Sequence, residues 1–309
     1  MREDWHPALA ASFPEHEWAL SDRLEDFAHH IPDADILLIT NRACTKELGE
    51  ILRTRASALK WIHFLTAGMD NAIAMGLPTH VAISHAAGVK AASVAEHALA
   101  LLLALRRRLP DILLDQRQHL WRREDISAAM GSLAGTTACI VGLGHVGREI
   151  ARKLRAFDAV PIAVSRAGVA GDGVAAVYSR IRLHEALGLA DAVIIATSAD
   201  GSRQALIDGP ALAAMKPGAV LVNVARGSLV DEGALIDALV SGRLAGAGLD
   251  VQQTEPLPPS SQLWDLPQMT VSPHSAGAGA SGYQEHRALF AANLERFLGD
   301  RPLLNSWPG

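Results

Sequence analysis

Three polar residues follow apolar segments of the kind that form buried strands. Arg226 comes after Val222-Asn223-Val224-Ala225, Glu255 stands a short loop beyond Gly248-Leu249-Asp250-Val251, and His274 follows Val271-Ser272-Pro273. Open α/β sheets present their ligand crevice at the carboxyl ends of the strands, so residues far apart in sequence converge there. The three types form a coherent set for adding a hydride and a proton to a carbonyl that neighbours a carboxylate, as in the reduction of a 2-keto acid. A guanidinium binds a carboxylate as a fork, stays charged at any working pH and polarises an adjacent carbonyl. An imidazole titrates near neutrality and gives or takes a proton at the carbonyl oxygen. A carboxylate beside that imidazole orients the ring and supports its cationic form. The chain has 13 histidines, however, so residue type alone does not single out His274.

A second pattern supplies a cofactor. Cys139-Ile140-Val141-Gly142-Leu143-Gly144-His145-Val146-Gly147 sets G-x-G-x-x-G after a predicted strand and before a predicted helix. In that context Gly142 permits the tight turn, Gly144 lets a pyrophosphate approach the backbone, and Gly147 lets helix and strand pack closely. The helix N-terminus, with His145 and Val146 in its first turn, attracts phosphate charge. The acid that usually holds the ribose hydroxyls at the end of the next strand is missing. Val160-Pro161-Ile162-Ala163-Val164 leads instead into Ser165-Arg166, a pair suited to a 2′-phosphate, which favours NADP over NAD.

These residues need a parallel sheet to position them. From residue 137 to 274 short β-branched runs alternate with helical patterns, the mark of repeated βαβ units in a sheet buried on both faces. Strands are predicted over 137–141, 160–164, 192–197, 220–224, 246–249 and 269–271. Helices are predicted over 146–157, 184–189, 209–215 and 232–241. The first hundred residues carry a weaker α/β pattern, with strands over 36–40, 61–65 and 81–84. A long apolar helix, residues 91–106, lies between the two lobes and ends in Arg106-Arg107-Arg108, cations that suit a helix C-terminus. A closing helix spans 281–298.

Bulk composition narrows the function classes. The chain has 309 residues, is 49% hydrophobic and 20% charged, and carries a formal net charge of −5. That length suits two domains, and that charge gives no reason to expect nucleic acid or an anionic membrane as partner. Two cysteines, Cys44 and Cys139, allow no disulfide framework or cysteine metal site, and His29-His30 lacks further ligands, so no metal is expected. No apolar stretch is long enough to span a bilayer and the start lacks a secretion signal, so the expected location is the cytoplasm.

Several stretches together resemble the D-isomer-specific 2-hydroxyacid dehydrogenase family, from the region of Asn41 to the C-terminus. They are Leu59-Lys60-Trp61-Ile62 with Ala67-Gly68-Met69-Asp70, Val94-Ala95-Glu96-His97-Ala98-Leu99, the glycine loop, Asn223-Val224-Ala225-Arg226-Gly227, Leu249-Asp250-Val251 with Glu255-Pro256, and Ser272-Pro273-His274. The resemblance implies that Arg226 contacts substrate, that His274 is the acid/base and that Glu255 partners it. It further implies that backbone N–H groups of Ala67, Gly68 and Met69 bind the substrate carboxylate. The cofactor would be held by Gly142, Gly144, His145, Val146, Gly147, Ser165, Arg166, Thr197, Val224, Ala225, Asp250 and His274.

The implied α/β fold has two Rossmann-like or flavodoxin-like domains with doubly wound parallel sheets. The cofactor domain, 99–279, is inserted into a substrate domain built from 1–98 and a returning helix in 280–309. The implied assembly is a homodimer to which the helix near Val94 contributes, which makes Glu96 and His97 structural or interfacial. The implied substrate is a small 2-keto acid such as glyoxylate or hydroxypyruvate, reduced to the D-2-hydroxy acid. A dehydrogenase of a bulkier D-2-hydroxy acid, or a dinucleotide-sensing corepressor on the same fold, are the alternatives.

The sequence also departs from the family pattern. Thr197-Ser198-Ala199-Asp200-Gly201-Ser202-Arg203 lacks the usual prolines, Gln252 replaces a frequent aromatic and Gln268 a frequent asparagine. No strand is predicted before residue 36, where the family opens with one, which points to a truncated N-terminus or a reduced lobe. Trp61, His63 and Trp121 read as packing or interface groups ahead of pocket residues, and Arg106–Arg108 and Arg122-Arg123 as solvated helix ends.

Overall fold

A computed structural model of the chain describes residues 5–165, 173–198, 204–279 and 283–307. Two compact units emerge: Met1–Val89 together with Gly282–Gly309, and Lys90–Ser281 inserted between them. The first division precedes helix Ala91–Arg106 instead of falling at 98/99 within it. A helix is one hydrogen-bonded rod, and its buried residues from Ala95 to Leu105 all belong to the core of the inserted unit.

The first unit has a parallel sheet in the order β1-β2-β3, with β1 at Ile36–Ile39, β2 at Trp61–Phe64 and β3 at Ala82–His85. The central β2 is wholly buried, and its alternation divides the core. Ile62 and Phe64 pack with Leu48, Leu52 and Met69, whereas Trp61 packs with Phe290 and Leu294 of the closing helix Tyr283–Leu298. The rings of Trp61 and Phe290 stack at 5.4 Å. Trp61 and His63 are therefore core residues of this unit: both bond Ser84 Oγ, from Nε1 at 2.9 Å and Nδ1 at 2.8 Å. Among the described residues no strand precedes β1, and Trp5–Ser12 is helical.

The inserted unit has seven parallel strands. They are β4 at Thr137–Val141, β5 at Val160–Ser165, β6 at Ala176–Ser179, β7 at Ala192–Ile195, β8 at Ala219–Asn223, β9 at Leu244–Leu249 and β10 at Met269–Val271. Their order is β10-β9-β8-β7-β4-β5-β6. The chain winds outward from β4 through β6 and then returns to β7 on the other side of β4, so the winding reverses between β4 and β7. Alternate residues feed two cores, as the twofold repeat of a strand requires. Cys139 and Val141 face helices Leu183–Gly188, Gly209–Ala214 and Glu232–Val240, while Ala138 and Ile140 face Ala91–Arg106 and His145–Ala156. Among the described residues no helix is long and apolar enough to cross a membrane.

Candidate active site

The glycine loop lies where the winding reverses, the place where doubly wound sheets open a ligand crevice. Gly142 has φ +109°, and a Cβ there would fall 2.7 Å from the carbonyl oxygen of Ala196 and 2.7 Å from Cβ of Thr197, just past the end of β7. A Cβ on Gly147 would stand 1.9 Å from the Gly142 oxygen. Gly144, the N-cap of helix His145–Ala156, differs: nothing lies within 4 Å of its added Cβ. Two glycines are thus demanded by protein packing and the middle one faces open space. The first-turn N–H groups of His145, Val146 and Gly147 have no acceptor within the helix. A pyrophosphate fits this cradle by size and by charge. Ser165 closes β5, whereas Arg166 lies outside the described residues, as do residues 199–203 beyond Thr197.

At the end of β8 the turn that carries Arg226 is tied by Asn223, which is fully buried. Its Oδ1 accepts the Ala225 N–H at 3.0 Å and its Nδ2 donates to the Arg226 carbonyl at 2.9 Å. Val224 and Ala225 are buried behind the turn, and Arg226 is half-buried, with Nη1 donating to the Ala225 carbonyl at 2.7 Å. Gly227 is required next: its Cβ would stand 1.9 Å from the carbonyl oxygen of Gln252. That contact brings the Arg226 turn against the segment between β9 and Glu255.

The β9 end and the β10 end are joined by Asp250, only 1% exposed. Its Oδ1 accepts from Ser272 Oγ at 2.6 Å and from the Ser275 N–H at 2.9 Å, and Oδ2 accepts the Ala276 N–H at 2.9 Å. Its main-chain carbonyl accepts the His274 N–H at 2.7 Å. Thus clasped, His274 adopts φ +49° in the left-handed region, a conformation costing about 1 kcal/mol for a non-glycine residue. The carboxylate of Asp250, a residue the family resemblance places at the cofactor, thus also holds this loop. The ring of His274 is half exposed, and its Nδ1 meets Glu255 Oε2 at 2.7 Å. The other carboxylate oxygen of Glu255 accepts the Gln252 N–H at 3.2 Å. With Nδ1 engaged, Nε2 of His274 is the nitrogen that remains for proton exchange.

In the first unit, the loop after β2 is pinned from the loop after β1. Asn41 donates its N–H to Thr66 Oγ1 at 3.1 Å and accepts the Ala72 N–H at 3.0 Å, while Thr66 Oγ1 donates to the Gly68 carbonyl at 3.1 Å. Among the described residues, no protein acceptor is bonded to the N–H groups of Ala67, Gly68 or Met69. This leaves donors for an anion ahead of helix Asp70–Met75.

The residues to which the sequence assigns chemistry are therefore held by motif neighbours to which it assigns none. Glu255 and His274 are brought together, and Arg226 is held on the neighbouring strand end. Asn223, Gly227, Gln252 and Ser272 do the holding. Gln252, noted only as a departure, donates from Nε2 to the carbonyls of Leu249 at 3.1 Å and Ser272 at 3.3 Å, a role an aromatic side chain cannot fill. Arg122, expected to be solvated, forks onto the buried Asp115, with Nε at 2.9 and 3.0 Å from its two oxygens. Among the described residues, no His, Cys, Asp and Glu group is arranged to hold a metal ion.

Comparison with known proteins adds three kinds of likeness. The family model for the D-isomer specific 2-hydroxyacid dehydrogenase NAD binding domain matches residues 99–276. The D-3-phosphoglycerate dehydrogenase of Mycobacterium tuberculosis is 37% identical over 271 residues, which cover 86% of this chain and 49% of that protein. The chain thus spans about half the length of the first curated relatives it matches. The (S)-sulfolactate dehydrogenase of Chromohalobacter salexigens is 34% identical over 272 residues, covering 86% of this chain and 85% of that one. Among solved structures, the NADPH-dependent glyoxylate/hydroxypyruvate reductase of Sinorhizobium meliloti, in complex with NADP and sulfate, superposes with a TM-score of 0.83 at 26% identity. It covers 99% of this chain and 95% of its own.

Proposed function

The chain belongs to the D-isomer specific 2-hydroxyacid dehydrogenase family, and from that premise we propose that it reduces a small 2-keto acid to the D-2-hydroxy acid, with NADPH preferred over NADH. The observation that carries the reading is the 2.7 Å bond between His274 Nδ1 and Glu255, held at the strand ends of the same sheet that bears the glycine loop and Arg226. Gly142, Gly144, Gly147 and the first helical turn at His145 and Val146 would hold the pyrophosphate, with Ser165, Arg166, Thr197, Val224, Ala225, Asp250 and His274 along the rest of the dinucleotide. When bound, that cofactor supplies the hydride.

The chain's own residues supply the rest. Arg226 binds the substrate carboxylate and polarises the carbonyl, and the free N–H groups of Ala67, Gly68 and Met69 are carboxylate donors. His274 Nε2 delivers a proton to the carbonyl oxygen as it gains electrons, while Glu255 keeps Nδ1–H and so fixes the tautomer and the ring plane. Asp250 acts through the loop that it clasps.

The NADP preference rests on Ser165-Arg166, which stands where an aspartate would repel a 2′-phosphate. The NADPH dependence of the Sinorhizobium meliloti reductase supports the same reading, and its substrates support glyoxylate or hydroxypyruvate for this chain. Exposed apolar groups support a homodimer: Leu113 and Leu114 on helix Leu109–Gln118, then Leu120 and Trp121, the last 90% exposed. Steady-state efficiencies with NADPH and NADH across glyoxylate, hydroxypyruvate and bulkier 2-keto acids test the assignment. The small acids with NADPH are expected to be best. A preference for NADH overturns the cofactor assignment, and a preference for a bulky acid overturns the substrate.

A further inference from the structure

Helix Ala91–Arg106 lies close on β9 because β9 offers it glycines. A Cβ on Gly246 would fall 3.1 Å from Cδ2 of Leu105, and one on Gly248 would fall 3.1 Å from Cβ of Leu101. Four residues of helix advance about 6 Å and two residues of strand about 6.6 Å. One more step along the helix ridge that holds Leu105 and Leu101 reaches His97, and one more step along the strand face reaches Asp250. The two side chains meet there, with His97 Nε2 at 3.3 Å from Asp250 Oδ1 and 2.8 Å from Ser272 Oγ.

The direction of these bonds follows from a proton count. Ser272 has a single hydroxyl proton and donates it to Asp250 at 2.6 Å, so its contact with His97 requires the imidazole N–H as donor. The same helix end reaches the loop a second time, where Lys90 Nζ donates to the Gly277 carbonyl at 2.6 Å. Between those two ties lies His274, in the left-handed region, with its own N–H on the Asp250 carbonyl.

We propose that His97 is a positioning residue for the reduction: it fixes the Ser272–Asp250 clasp from the helix and thereby sets where the His274 ring stands. The proposal builds on the reading of His274 as the proton donor. It gives the Val94–Leu99 segment a part in the chemistry.

His97→Leu removes the donor at similar bulk, whereas His97→Gln keeps an N–H near the place of Nε2. In His97→Leu, kcat is expected to fall about tenfold or more, with KM and the dissociation constant for NADPH nearly unchanged, and His97→Gln is expected to recover most of the loss. The nitrogen-15 resonances of the His274 ring, identified by their absence in His274→Asn, report its bond to Glu255 independently of turnover. They should shift in His97→Leu and return in His97→Gln. Unmoved resonances in His97→Leu, or a His97→Gln as slow as His97→Leu, would overturn the proposal. If the wild type reduces no 2-keto acid while the His274 resonances still follow position 97, the acid/base reading fails and the positioning tie is supported. Should His97→Leu not fold, Ser272→Ala removes the group that receives the imidazole proton and is read by the same shifts and the same rates.

Discussion

A side chain does chemistry through the atoms that the fold has not already engaged. His274 has one ring nitrogen on Glu255 and the other open, and Asp250 has both oxygens engaged within the protein. From that difference His274→Ala is expected to lower kcat about 10²- to 10⁴-fold with a small change in KM, the range for losing a general acid. On the proposed role of Arg226 in binding the carboxylate before and during the chemical step, Arg226→Ala should raise KM and lower kcat together. Steady-state kinetics on both variants checks the split. His63 carries a prediction about stability. Burial, then the nearby His286 and His85, push its pKa down to about 4. It stays neutral in the folded chain while the unfolded chain takes up a proton as pH falls below about 6.5. Stability is therefore complete above that pH and is lost progressively down to about 4. Between pH 7 and pH 5 the stability gap between wild type and His63→Gln, measured by denaturant unfolding, should shift by roughly 2 kcal/mol against the wild type; a constant gap would show that His63 titrates normally. Strand-end positions and the family resemblance made the pairing of Glu255 with His274 legible in the sequence. The clasp between Asp250 and the 272–276 loop was not, since it depends on the path of that loop.

At the scale of elements, the glycine loop makes the clearest demand. Its three glycines read alike in sequence, yet Gly147 meets backbone at 1.9 Å and Gly144 meets nothing within 4 Å. Gly147→Ala is expected to lower both Tm and affinity for NADPH, whereas Gly144→Ala should leave Tm unchanged and weaken binding about tenfold or more, because only the ligand needs that space. Thermal melts paired with fluorescence titration separate the two. Gly227→Ala should resemble an Arg226 variant in kinetics, since its methyl group would push the turn away from Gln252. Buried strands such as β7 and β8 were plain in the sequence because parallel strands covered on both faces are continuous apolar runs. β6 was not predicted: it is a short edge strand, and every residue in it is only half-buried. The long helix was legible, but not its membership in the inserted unit, which depends on the glycines of β9 that it packs against.

At the scale of the molecule, the insertion of one α/β unit into another was legible from the order of the motifs, while its boundary needed the packing of Ala91–Arg106. The exposed row that ends in Trp121 belongs to this scale as well. Trp121→Ala combined with Leu113→Glu is expected to shift the sedimentation coefficient from dimer to monomer, and a wild type that already sediments as a monomer would remove the dimer from the account. The claim that joins all three scales is reduction of a 2-keto acid with His274 as proton donor. NADPH consumption with glyoxylate and hydroxypyruvate, measured side by side for wild type and His274→Ala, tests it most directly. Turnover by the wild type and a loss of about 10² or more in the variant are predicted; a wild type that binds NADPH yet turns over neither acid, or a variant that matches the wild type, would contradict it.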